Sequence, residues 1–162
     1  GTLGIGTRLY QVRGTSWLDH EWSSAYLAPE ARGWDWLGLN FDDGSALMVF
    51  RIRAQDGSAY WSGGTWRSAA GATRTLRPED IAFTPQREWR SPRTGIVYPV
   101  AFEVRAGGVN LTIEPLLDDQ ELDARGSVGT IYWEGAVRVS INGRKVGRGY
   151  LELTGYGAPL RI

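Results

Sequence analysis

Ile96-Val-Tyr-Pro-Val-Ala-Phe-Glu-Val-Arg-Ala-Gly-Gly-Val-Asn-Leu-Thr-Ile-Glu-Pro-Leu-Leu117 reads as two strands folded back on one turn. In the first arm Ile96, Tyr98, Val100, Phe102 and Val104 share one face, opposite Val97, Ala101, Glu103 and Arg105. In the second, Val109, Leu111, Ile113 and Leu117 oppose Asn110, Thr112 and Glu114. This period of two marks half-buried strands, and Ala106-Gly107-Gly108 supplies the reversal between them.

The same punctuation recurs along the chain. Asp42-Asp43-Gly44-Ser45, Gln55-Asp56-Gly57-Ser58 and Asn142-Gly143 each separate runs rich in Val, Ile, Leu, Tyr and Trp. Such signals mark hairpins. Strands are expected near 7–13, 16–22, 33–41, 45–54, 58–67, 80–90, 96–105, 109–117, 131–140 and 147–155, with no convincing helical period. An all-β domain of this kind is an up-and-down barrel or a sandwich. Along 131–140, Ile131, Trp133, Val137 and Val139 share a face and leave Tyr132, Glu134, Arg138 and Ser140 together. Tyr150, Glu152 and Thr154 likewise oppose Leu151 and Leu153, so two neighbouring strands each carry a Tyr and a Glu on one side.

The 162 residues, 42% apolar, are enough for one domain with a full core. Eighteen basic and eighteen acidic residues balance, which argues against nucleic acid or an anionic membrane surface as the main partner. A small hydrophobic ligand or another protein fits better. With no Cys there is no disulfide, thiolate metal site or Cys nucleophile, and a single His excludes a poly-His metal site unless carboxylates complete it. No cofactor is expected: Gly4-Ile-Gly6 lacks the rest of a dinucleotide fingerprint, and no Gly-x-Ser-x-Gly elbow occurs. The acidic cluster from Asp118 to Asp123 reads as a solvated loop, with calcium binding as its alternative. No apolar run is long enough to span a bilayer, and a chain that starts at Gly1 is expected to be a processed or trimmed product.

The chemistry-bearing residues cluster in a few places. Gly14-Thr-Ser-Trp-Leu-Asp-His-Glu-Trp-Ser-Ser24 sets the sole histidine, His20, between Asp19 and Glu21, with Trp17 and Trp22 nearby. On a strand, Trp17, Asp19 and Glu21 would share one face, and Leu18, His20 and Trp22 the other. Asp35 sits between Trp34 and Trp36. Each has a plainer reading: His20 as a hydrogen-bonded packing residue, the indoles as core, and Glu134 and Glu152 as solvent-facing or paired with Arg138 or Arg148.

Trp17-Leu-Asp-His-Glu-Trp-Ser-Ser24, Gly33-Trp-Asp-Trp36, Asp42-Asp-Gly44, Trp89-Arg-Ser-Pro92, Asp119-Gln-Glu-Leu122, Tyr132-Trp-Glu-Gly-Ala-Val137 and Gly149-Tyr-Leu-Glu-Leu-Thr-Gly-Tyr156 together resemble the carotenoid hydratase-like family, often labelled predicted secreted hydrolases. The resemblance implies a lipocalin-like antiparallel up-and-down β-barrel over residues 1–162, similar to the second of two tandem domains. A first lipocalin-like domain, or a second copy, is then an expected partner. It also implies a periplasmic, secreted or membrane-peripheral location. The implied reaction is cofactor-free, acid-catalysed hydration of an isoprenoid or other hydrophobic alkene, or a related dehydration or cyclisation. Asp19, Glu21, Asp35, Glu134 or Glu152 would be the acid, Trp22, Trp34, Trp36 or Tyr132 the cation-stabilising wall, with Tyr150 beside them, and His20 the base or relay. The His20 and Trp22 spacing is similar to the family's; Asp35 and Asp43 both stand as counterparts of its aspartate.

Overall fold

A computed structural model of the chain describes residues 1–20 and 27–159. It is all-β and antiparallel, with one short 3-10 turn at Pro78–Asp80. The strands are β1 (Thr2–Ile5), β2 (Arg8–Gln11), β3 (Ala31–Phe41), β4 (Ala46–Ala54), β5 (Ala59–Arg67), β6 (Thr73–Leu76), β7 (Ile81–Arg90), β8 (Val97–Ala106), β9 (Val109–Pro115), β10 (Glu121–Ala124), β11 (Thr130–Ile141) and β12 (Arg144–Leu153). Among the described residues no helix is long and apolar enough to cross a membrane.

Ten strands form one sheet in the order β6-β5-β4-β3-β12-β11-β9-β8-β7, with β10 also on β11. Each strand therefore pairs with its sequence neighbour, and the first and last long strands, β3 and β12, pair as well. This is the lipocalin-like meander, interrupted at mid-chain: no ladder joins β6 to β7 among the described residues. The sequence explains the break, since β6 is only four residues long and β7 carries Pro85, which has no N–H to donate and suits an edge. Side chains bridge the gap instead. Arg51 of β4 donates to the Phe83 carbonyl of β7 (3.0 Å), and Arg74 of β6 donates to the Gly107 carbonyl (3.2 Å).

Turn chemistry sets the register. In the β3–β4 and β4–β5 hairpins, Asp43 and Asp56 each accept from the backbone N–H and the hydroxyl of a serine two residues on, while Gly44 and Gly57 take positive φ. Those serine bonds hold both carboxyls below the usual aspartate range. Asp43 is thus part of a turn. Between β11 and β12, Asn142 and Gly143 both have positive φ, the signature of a tight hairpin turn.

Three strands, β1, β6 and β10, escape the pattern. β6 is short and polar, and β10 lies within the acidic cluster. β9 and β10 pair with successive parts of β11. The gap between them is filled by Gln120, whose side-chain amide accepts from the Ala136 N–H and donates to the Ala136 carbonyl. The acids around it face arginines: Asp118 with Arg87, Asp119 with Arg93, Asp123 with Arg125. Residues 16–20, expected within a strand, have no regular structure; Glu21 and Trp22 lie outside the described residues. Among the described residues β1 and β2 pair only with each other.

The inner face carries a contiguous core that includes Leu37, Leu47, Val100, Phe102, Ile113, Trp133 and Leu151. A polar network centred on Asp35 interrupts it. Asp35, fully buried, accepts from Arg51 (2.6 Å), Arg53 (3.0 Å) and the Tyr156 hydroxyl (2.9 Å), and Arg53 also donates to the Thr154 carbonyl. The Arg53 guanidinium lies 3.9 Å from the centre of the Tyr156 ring.

Replacing Asp35 with Asn should leave two buried guanidiniums without a counter-ion and cost about 3–5 kcal/mol in urea unfolding. Burial, with the Asp35 charge beside it, pushes the Tyr156 phenol well above its usual range. The folded state therefore favours the neutral phenol, a contribution fully present below pH ~10 and lost as the pH rises above it. Tyr156→Phe should flatten that alkaline loss in denaturation curves taken between pH 8 and pH 11.

Candidate functional site

The outer face of β3, β12 and β11 carries the groove. Alternation sends Asp35, Leu37 and Leu39 inward, so Trp34, Trp36, Gly38 and Asn40 face out. Register then fixes what lies beside them. Trp36 is opposite Glu152, and Glu152 is opposite Glu134; one step along, Gly38 is opposite Tyr150, and Tyr150 is opposite Ala136; one step further, Asn40 is opposite Arg148, and Arg148 is opposite Arg138.

A roof closes over this floor. Thr15, Ser16, Trp17 and Asp19 join Trp36, Gly38, Asn40, Leu116, Glu134, Arg148, Tyr150 and Glu152 around a cavity of about 570 Å³. Trp17 meets Trp36 edge to face, with ring centres 5.8 Å apart. Gly38 makes room for both indoles, since a Cβ there would come within 2.5 Å of the Trp36 ring and 2.9 Å of Trp17. The Nε1–H groups of Trp17 and Trp36 are both buried and have no hydrogen-bond partner among the described residues. Buried unsatisfied donors are uncommon in folded proteins, and both of these belong to residues that line the groove.

The carboxylates give the groove its electrostatics. Glu134 and Glu152 are both half-buried and directly opposed, which on neighbouring antiparallel strands puts their Cβ atoms about 4.5–5.5 Å apart. Like charges so placed repel. Burial first, and then the charges of Glu134 and Glu152, push the Tyr132 phenol above its usual range, so it remains a hydrogen-bond donor at neutral pH.

The expected site residues therefore separate into groups. Asp19, Trp36, Glu134, Tyr150 and Glu152 meet around the groove, and Tyr132 adjoins it. Trp34 shares the outer face but is not among the lining residues. Asp35 is on the opposite face, held by Arg51 and Arg53. His20 is exposed and outside the lining set; Glu21 and Trp22 lie outside the described residues. Glu134 and Glu152 oppose each other, and Arg138 opposes Arg148. Trp17 and Asp19 point in while Leu18 is 90% exposed, so the alternation expected of a strand holds locally without one. Trp17 and Arg148 were missed as site residues; only the shared face of Trp17 and Asp19 hinted at the first.

Comparison with known proteins places this architecture. The model of the AttH-like family matches residues 1–156. A crystal structure from Nitrosomonas europaea, designated an AttH candidate, is 55% identical with a TM-score of 0.80, over 83% of this chain and 42% of that one. Kievitone hydratase from Nectria haematococca is 20% identical with a TM-score of 0.60, over 79% of this chain and 40% of that one, a likeness of fold. The chain thus spans about two fifths of the length of these structures. Among curated proteins none matches it.

Proposed function

The chain belongs to the AttH-like family, and from that premise we propose that its outer-face groove is the acid–base part of a cofactor-free site that hydrates an isoprenoid or other hydrophobic alkene, or runs the related dehydration or cyclisation. The observation that carries this reading is the opposed Glu134 and Glu152 beside two indoles in a partly enclosed cavity. Hydration of an alkene needs a carboxylic acid to deliver a proton and a base to take one from water, and two opposed carboxyl groups place both on one floor.

Glu134 transfers its proton to one alkene carbon, forming a C–H bond and leaving a cation on the other. The faces of Trp17 and Trp36 stabilise that cation. Water attacks it, and the Glu152 carboxylate takes the released proton, giving the alcohol. Proton exchange between the two carboxyls restores the starting state. Asp19 from the roof is a second base within the same cavity. The resemblance to carotenoid hydratase-like sequences and the fold shared with a hydratase support this reading.

Liquid chromatography with mass detection, using acyclic isoprenoid alkenes, tests it by the gain of one water. Glu134→Gln should slow product formation at least about 100-fold. An unchanged rate would remove Glu134 from the mechanism. His20→Ala, exposed and outside the cavity lining, locates the relay: loss of turnover puts it on the roof segment, and retention leaves the carboxylates to act alone.

A second reading has its own observation. The β1–β2 hairpin exposes Leu3, Ile5, Leu9, Tyr10 and Val12, and Leu9 is 78% exposed. An apolar hairpin projecting from the main sheet suits a domain that packs on a second lipocalin-like domain or a second copy. Sedimentation analysis distinguishes the cases: a monomer whose mass does not change with concentration counts against the second copy.

A further inference from the structure

We propose that the end of the groove at Arg148 is a subsite for an anion, and that the ligand is therefore an amphiphile with a carboxylate or phosphate at one end of an apolar chain. The inference rests on the reading of the groove as a ligand site and adds the substrate's polarity.

The floor of the groove is electrostatically polarised along the strands. Glu134 and Glu152 form one opposed pair, Ala136 and Tyr150 the next, and Arg138 and Arg148 the third. Four residues separate the acidic row from the basic row on each strand, about 13 Å at 3.3 Å per residue. Between them lie the Trp36 ring, packed with Trp17 over Gly38, then Ala136 and the Tyr150 ring.

Arg148 lines the cavity, with the Asn40 amide opposite it on one side and Arg138 on the other. Arg148 and Arg138 make no hydrogen bond or ion pair among the described residues, whereas Arg51, Arg53, Arg87, Arg93 and Arg125 are all engaged by carboxylates. Two guanidiniums directly opposed on neighbouring strands repel, and an anion between them relieves that repulsion. The opposed glutamates exclude the same anion from the other end, so the two pairs together fix the direction in which a chain lies. A ligand so oriented puts its anionic group at Arg148 and a double bond about 13 Å away, at Glu134.

Farnesoic acid and its uncharged methyl ester are the probes, titrated against the protein at pH 8 and low salt with tryptophan fluorescence or calorimetry as readout. The acid should bind about tenfold more tightly than the ester, as expected for one charge-assisted hydrogen bond. Arg148→Gln should bring the two affinities together, and 0.5 M salt should narrow the wild-type ratio. Equal binding of acid and ester by the wild type, or a preference that survives Arg148→Gln, would overturn the subsite while leaving Glu134 chemistry intact. Loss of the preference in Arg148→Gln, together with an unchanged turnover in Glu134→Gln, would sustain the subsite and overturn the acid–base reading. Absence of binding by either probe would overturn both.

Discussion

The carboxylate of Asp35 holds two arginines inside the sheet, and much of the architecture hangs on that bond. Arg51 and Arg53 come from β4, Tyr156 from the segment after β12, and Arg51 continues to the Phe83 carbonyl on β7. One buried acid thereby ties the two halves of an interrupted ring from within. Charges of this kind are costly to desolvate, and they persist only where every donor and acceptor finds a partner. Asp35 does so with three donors, while Arg53 is covered by the Tyr156 ring. The same residue lies between Trp34 and Trp36 in sequence, so fixing its side chain inward fixes the two indoles outward.

That geometry separates stability from chemistry. The inner face is filled by aliphatic and aromatic packing, whereas the groove is assembled on the back of the sheet and completed by Trp17 and Asp19. The two buried indole N–H groups, without a hydrogen-bond partner among the described residues, are local departures from what a merely stable surface would carry. Such departures are expected where a ligand supplies the missing partners.

Much of this was legible from residue alternation. The faces of β8, β9, β11 and β12 follow directly from it, as does the shared side of Tyr132, Glu134, Tyr150 and Glu152. Alternation says which residues share a face, however, not which face is buried. On β3 both faces carry aromatic or apolar residues, and the acid goes inward because Arg51 and Arg53 arrive from β4, a tertiary fact. The strand break patched by Gln120 was hidden for a similar reason, since a side-chain amide replaces backbone pairing there. The open edge at β7 did have a local sign in Pro85. The expected strand at 16–22 followed from a real alternation of Trp17, Leu18 and Asp19, but no neighbouring strand pairs with residues 16–20.

The pairing of β3 with β12 has a kinetic side. Trp34 and Thr154, joined by a backbone hydrogen bond to the threonine hydroxyl, are 120 positions apart in the chain. Contacts of that separation carry the largest loop-closure entropy and tend to form late in folding. The groove straddles this junction, with Trp36 on one side and Glu152 on the other. A partly folded chain can hold intact hairpins and still lack a ligand site, so competence at the groove arises only with the last and longest-range step of assembly.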